Sequence, residues 1–133
     1  MEKSDKIFIA GHNGLVGSSV HKILLGKGYK NIITVSSKKL DLRNYSKVEK
    51  YFNKMNIDYM VMAAAKAGGI MANSTNQKDF FLNNIEIQNS LLKLALKKKI
   101  KRVIYLGTSC IYPKYAKTPI TEDSLLTGTL EKT

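Results

Sequence analysis

The strongest chemical signal in the chain is Gly11-His12-Asn13-Gly14-Leu15-Val16-Gly17, directly after the apolar run Lys6-Ile-Phe-Ile-Ala10. Three glycines spaced by three, between a strand pattern and a helical one, make a turn suited to a dinucleotide. One glycine makes the tight turn, one lets the backbone approach a pyrophosphate, and one lets helix and strand pack. The start of the helix then offers free N–H groups and the positive end of its dipole to the phosphates. No Gly-Lys-Ser or Gly-Lys-Thr is present, which excludes a nucleoside-triphosphatase P-loop.

An acid about 20 residues past such glycines pairs with the ribose 2′-hydroxyl of NAD. Here that place reads Val35-Ser36-Ser37-Lys38-Lys39, with hydroxyls and cations and no carboxylate. This favours the 2′-phosphate of NADP(H), with Lys38 as the candidate contact. The competing reading makes Lys38 and Lys39 two more surface lysines. Asp41, in Leu40-Asp41-Leu42, is better placed for an adenine amino group.

Cys110 is the only cysteine, so an internal disulfide and a zinc-type cysteine cluster are both excluded. Taken alone, it reads more readily as a buried apolar thiol than as a reactive group. His12, in the phosphate turn, and His21, on the first helix, read as structural.

The elements that must position these residues alternate between strand and helix. Residues 6–10, 31–35, 58–63 and 102–106 are short apolar runs of the kind found in strands buried on both faces. A first helix runs from Gly14, with Val16, Val20, Ile23 and Leu24 as its stripe, closed by Gly26 and Gly28. Asn44 caps a second that carries Val48, Tyr51, Phe52 and Met55. A long helix from about Lys78 to Lys98 carries Phe81, Ile85, Gln88, Leu92 and Ala95 along one side. Short connections in this order imply parallel strands and right-handed crossovers. Beyond Ser109 no periodicity is clear, and both prolines, Pro113 and Pro119, lie there.

By length, 133 residues allow one small domain. Twenty-two basic residues face 10 acidic ones, for a formal net charge of +12. Only Arg43 and Arg102 are arginine, whereas recognition of bases and phosphates favours the arginine fork. The run Lys97-Lys98-Lys99-Ile100-Lys101 sits where a helix ends and cations suit its dipole. The lysines therefore read as a solvated surface that tolerates an anionic small ligand, and no nucleic-acid partner is expected. The apolar run 7–10 is too short for a signal core or a membrane span. With one unpaired cysteine, this points to the cytoplasm.

The glycine triplet, Leu40-Asp41-Leu42 and Ala63-Ala64-Ala65-Lys66 together resemble the extended short-chain dehydrogenase/reductase superfamily. Four further stretches narrow the resemblance: Phe8-Ile-Ala-Gly-His12, Ala63-Ala-Ala-Lys-Ala-Gly-Gly-Ile70, Leu106-Gly-Thr-Ser-Cys-Ile-Tyr-Pro-Lys114 and Thr127-Gly-Thr-Leu-Glu131. They are similar to the GDP-L-fucose synthase group, which epimerises and reduces GDP-4-dehydro-6-deoxy-D-mannose with NADPH. The resemblance implies a Rossmann-like, doubly wound parallel sheet ending after about four strands. It implies that Gly11, His12, Asn13, Gly14, Leu15, Val16 and Gly17 hold the pyrophosphate, and that Asp41 and Leu42 border the adenine. Ala64, Ala65 and Lys66 would line the cofactor trough, and Leu106, Gly107, Thr108 and Ser109 would pass the nicotinamide. Gly68, Gly69 and Ile70 would edge the sugar pocket. Thr108 stands where the group usually has the serine that holds the substrate keto oxygen. Cys110 stands where it has an acid/base cysteine, and Ser37 where it often has an arginine. The related dehydratases are disfavoured, since they typically carry acids after the fourth strand where this chain has Cys110.

The superfamily's Tyr-x-x-x-Lys pair is absent, because none of the seven tyrosines has lysine four residues later. By resemblance the pair lies a few residues past Thr133, with the sugar-nucleotide part beyond it. The expectation is that residues 1–133 are the NADP-binding part of a longer, homodimeric enzyme. On its own, such a part would bind NADP(H) weakly at best, without turnover, and leave a sheet edge uncovered.

Overall fold

The computed structural model describes residues 1–131; the last two residues of the expected NADP-binding part lie outside them. The four apolar runs form four strands: β1 (Ile7–Ala10), β2 (Ile32–Thr34), β3 (Tyr59–Met62) and β4 (Arg102–Tyr105). All pairings are parallel, in the order β2-β1-β3-β4. Phe8 lies opposite Ile33 on one side and Met60 on the other, and Met60 in turn opposite Val103. β1 is buried along its whole length, which is why its sequence does not alternate.

The helices are α1 (Leu15–Gly26), α2 (Tyr45–Phe52), a short α3 (Ile70–Thr75) and α4 (Gln77–Lys98). Val20 and Leu24 of α1 cover Ile7, Ile9 and Val61 on one face of the sheet. On the other face, α2 and α4 bring Val48, Phe52, Leu91 and Leu94 onto Phe8, Met60 and Met62. The sheet is thus doubly wound and Rossmann-like, as expected. Phe8 and Phe52 are fully buried with ring centroids 4.6 Å apart, and each such burial contributes about 1.5–3 kcal/mol.

The ends of the helices follow local chemistry. The Asn44 side chain accepts from the Lys47 N–H at 3.0 Å, as expected of a cap. Gly28 closes α1 at φ +82°, its N–H on the Leu25 carbonyl at 2.9 Å. α4 ends at Lys99, a non-glycine residue in the left-handed region.

Three expectations need correction. On α4 the buried stripe is Ser90, Leu91, Leu94 and Ala95, whereas Phe81 is 63% exposed and Ile85 and Leu92 also face outward. The helix is apolar on two sides, and the sheet takes one of them. On α1, Val16 and Ile23 are exposed while Gly17 is buried. The lysine run is not merely solvated. Lys97 pairs with Glu49 on α2 at 2.7 Å, and Lys98 donates to the Asn53 carbonyl. Lys101 bridges Asp5 and Asp58 at 3.0 and 2.9 Å. Among the described residues, no helix is long and apolar enough to cross a membrane.

Candidate functional site

The crossover through α1 leaves β1 toward β2, and the chain then returns past β1 to place β3 on its other side. The switch in direction lies between β1 and β3, where open α/β sheets leave a crevice at the carboxyl ends of their strands. A cavity of about 420 Å³ opens there. It is walled by residues 11–14 after β1, 35–37 and 40–43 after β2, 63–66 after β3, and by Asn83 and Ile87 of α4.

The glycine turn is built by close backbone packing. Gly11 has φ +83°, and a Cβ there would stand 2.6 Å from the Ala63 carbonyl oxygen and the Ala64 nitrogen. A Cβ on Gly17 would stand 2.7 Å from the Gly11 carbonyl carbon and 3.0 Å from the His12 Cα. These two glycines hold β1, β3 and α1 together. Gly14 differs, since a Cβ on it would meet only the Gly11 oxygen, at 3.4 Å. Its N–H bonds that same oxygen at 2.9 Å, and it precedes α1 with no side-chain cap. The first-turn N–H groups of α1 are therefore left for a ligand at the mouth of the cavity.

The opposite wall carries a polar chain. Arg43 donates from Nε to Asp41 Oδ1 at 2.9 Å and from Nη2 to Oδ2 at 2.7 Å. Its Nη1 donates to Asn83 Oδ1 at 2.5 Å. The Asn83 amide reaches Asp79, whose carboxylate pairs with Lys66 Nζ. These hydrogen bonds from Arg43 hold the Asp41 carboxyl well below its ordinary range, at about 2. The Lys66 amine likewise lowers Asp79. Asn84, beside Asn83 in the sequence, accepts from the Lys66 N–H at 2.6 Å and donates to the Lys66 carbonyl at 2.9 Å. One side chain thus pins the backbone of the loop after β3 in both directions.

Of the cofactor residues expected from sequence, Gly11, His12, Asn13, Gly14, Asp41, Leu42, Ala64, Ala65 and Lys66 share this cavity. Leu15 and Val16 are exposed at the start of α1, and Gly17 is buried behind the turn. Lys38 is exposed and does not line the cavity. Leu106, Gly107, Thr108 and Ser109 follow β4 at the same end of the sheet, one strand beyond the cavity, and are exposed. Cys110 is an exposed free thiol in the turn Ser109–Ile111, its N–H on Thr108 Oγ1 at 3.3 Å. Gly68 packs under Ala72 and Phe80, Gly69 caps α3, and Ile70 is exposed at its start. Sequence reasoning passed over Arg43, Asn83 and Asn84. Two adjacent asparagines inside a helix were the available signal, because asparagine favours local side-chain bonds over helix.

Comparison with known proteins agrees with this architecture. The chain is 44% identical over 99% of its length to GDP-L-fucose synthase 1 of Arabidopsis thaliana. It is 40% identical over 96% of its length to GDP-L-fucose synthase of Escherichia coli strain K12. These alignments cover 41% and 40% of the two relatives, so the chain spans about two fifths of their length. Among solved structures, it superposes with TM-score 0.91 on the GDP-mannoheptose C4 reductase MlghC from Campylobacter jejuni with NADP bound, at 32% identity. That match covers 98% of this chain and 39% of the reductase. A GDP-L-fucose synthetase from Naegleria fowleri bound to NADP gives TM-score 0.85 at 28% identity, over 100% of this chain and 43% of that one. The family model for the NAD dependent epimerase/dehydratase family matches residues 7–133, and the chain belongs to that family.

Proposed function

We propose that residues 1–133 are the cofactor-holding part of an NADP(H)-dependent epimerase/reductase of nucleotide sugars. The substrate is GDP-4-dehydro-6-deoxy-D-mannose and the product GDP-L-fucose. The observation that carries the reading is the uncapped start of α1, opening with the glycine turn onto a cavity at the switch point of the sheet. Backbone N–H groups and a helix dipole at that place suit the pyrophosphate of a dinucleotide.

In this reading residues 11–17 hold the diphosphate, and Asp41 and Leu42 border the adenine. Ala64, Ala65 and Lys66 line the trough, residues 106–109 pass the nicotinamide, and Gly68, Gly69 and Ile70 edge the sugar. Bound NADPH supplies hydride to the ketone carbon. The residues of the chain handle protons. A 4-ketone acidifies the C–H bonds on either side of it; the exposed Cys110, as its thiolate, takes such a proton, and a partner acid gives one back to the opposite face of the enolate. Thr108 Oγ1 already accepts the Cys110 N–H, which leaves its own O–H to donate to the keto oxygen.

A second reading makes this polypeptide, on its own, a dinucleotide-binding module without turnover. It is favoured by the absence of any Tyr-x-x-x-Lys among the 133 residues. One pair of measurements tests both readings: calorimetric titration with NADP+ and NADPH, and NADPH oxidation with the keto sugar nucleotide. Saturable binding without oxidation is expected of the isolated chain. No binding would refute the cofactor reading, and turnover by the isolated chain would refute the second.

A further inference from the structure

We propose that Arg43, and not Lys38, is the residue by which this chain selects a 2′-phosphorylated dinucleotide. The inference rests on the cofactor reading above and goes beyond it by assigning the discriminating group.

Fixed positive charge enters the lining of the cavity at only two described side chains, Arg43 and Lys66. Lys66 belongs to the β3 wall and is already paired with Asp79. Arg43 belongs to the β2 wall, the one that reaches the adenosine ribose in a sheet of this order. Lys38 and Lys39, which follow the same strand, are absent from the lining. The N–H groups of Lys39 and Leu40 both return to the Ser36 carbonyl at 3.0 Å, a tight turn that carries Lys38 out of the lining. Lys39 Nζ lies 5.7 Å from the centre of the Tyr51 ring.

The guanidinium of Arg43 is preset by its neighbours. A guanidinium carries five N–H donors. Three are committed, two to Asp41 and one to Asn83, which leaves one on each terminal nitrogen. Two parallel donors in a fixed plane match a phosphate, and little rotamer freedom remains to be lost on binding. The same wall holds Ser36 and Ser37, whose hydroxyls bond to no other described group. Asp41, which borders the adenine in the cofactor reading, forms a neutral pair with Arg43, so it brings no uncompensated negative charge to this wall.

The test compares the dissociation constants of NADP+, NAD+, 2′,5′-ADP and 5′-AMP for the unaltered chain and for Arg43→Met, Arg43→Lys and Lys38→Met. Circular dichroism checks that each variant is folded. Arg43→Met should weaken NADP+ and 2′,5′-ADP about ten- to a hundredfold, the range for losing charged hydrogen bonds, and NAD+ and 5′-AMP far less. Arg43→Lys, which keeps the charge but not the fork, should fall between. Lys38→Met should bind all four as the parent does. Equal weakening of phosphorylated and unphosphorylated ligands would overturn the inference, as would loss of selectivity in Lys38→Met instead. If Arg43→Met fails to fold, Arg43→Lys decides: unchanged selectivity there refutes the fork. If the unaltered chain binds neither dinucleotide, the cofactor reading has failed and this inference with it, a result distinct from the others.

Discussion

Replacing the three glycines of the turn one at a time by alanine should separate those the fold needs from the one the ligand needs. In Gly17→Ala the new Cβ collides with the Gly11 carbonyl oxygen and stands 2.7 Å from the Gly11 carbonyl carbon and 3.0 Å from the His12 Cα. None of these belongs to a side chain that could rotate away. Overpacking that side chains can absorb costs about 1–3 kcal/mol, so a collision with backbone lies at or above the top of that range. Alanine recovers about 1 kcal/mol of helix propensity, since Gly17 lies inside α1. The net loss is about 2 kcal/mol or more. For a chain of this size that lowers Tm by about 6–10 °C. Gly11→Ala should also destabilise the fold, because its φ of +83° adds backbone strain to two contacts at 2.6 Å.

Gly14→Ala behaves differently. Gly14 has φ −80° and ψ 171°, which any residue adopts. Alanine at this cap position costs up to about 1 kcal/mol, and the loss of freedom in the unfolded chain returns about 0.4–1 kcal/mol. Tm should stay within about 3 °C of the parent. The methyl group then lies where the diphosphate must approach, so NADP+ should bind at least about tenfold more weakly, a loss of 1.4 kcal/mol. Thermal unfolding by circular dichroism and calorimetric titration on the same preparations provide both readouts. A larger Tm loss in Gly14→Ala than in Gly17→Ala, or parental NADP+ binding by Gly14→Ala, would refute the reasoning.

Asp41 titrates near 2 in the folded chain, below its ordinary 3.8, because of its hydrogen bonds with Arg43. A depressed folded value means stability that is present above about pH 4 and lost as pH falls through about 2. Its side chain is 41% exposed, so screening limits the contribution to on the order of 1 kcal/mol. Asp5, Asp58, Glu49 and Asp79 are also held low, so the parent loses stability on acidification over the same range. Arg43→Met should flatten part of that loss, and urea midpoints measured between pH 2 and 5 check it. Asn84→Ala removes both bonds to the backbone of Lys66, a loss of about 1–3 kcal/mol. Faster amide exchange at residues 63–66, with α1 unchanged, is the expected signature by hydrogen–deuterium exchange. Ile104 and Tyr105 leave β4 more than half exposed at an unpaired edge. The isolated chain should therefore self-associate with rising concentration, and Ile104→Lys should reduce this in light scattering after size exclusion.

The sequence was most legible where the constraint is local. At Gly11 and Gly17 the backbone is crowded by residues within the turn or by the neighbouring strand, so only glycine fits, and the motif shows in the spacing. The Asn44 cap was legible for the same reason, since donor and acceptor lie three residues apart. On α4 the reading failed because Phe81, Ile85 and Leu92 form a stripe as apolar as the one around Leu91 and Leu94. Which stripe meets the sheet is decided by where α2 lies, and no pattern within α4 records that. Asn84 was passed over because its partner is a backbone 18 residues earlier, and a polar side chain on a helix looks solvated until the loop beside it is placed.

The choice between Lys38 and Arg43 shows what separates the two kinds of legibility. Counting residues after the glycines ranks Lys38 first, because it stands at the expected distance along the chain. A ligand meets side-chain directions instead. Within the six residues from Lys38 to Arg43 the chain completes a turn on the Ser36 carbonyl, sends Lys39 toward Tyr51, buries Leu40 and bends again at Asp41. The turn and the bend are local, but the places of Lys39 and Leu40 are set by α2, which carries Tyr51, Val48 and Phe52. A cation chosen by spacing can thus miss the cavity, while one five residues later enters it already held by a carboxylate and an amide. Titration with 2′,5′-ADP against 5′-AMP isolates that difference, since the two ligands differ only in the phosphate under dispute.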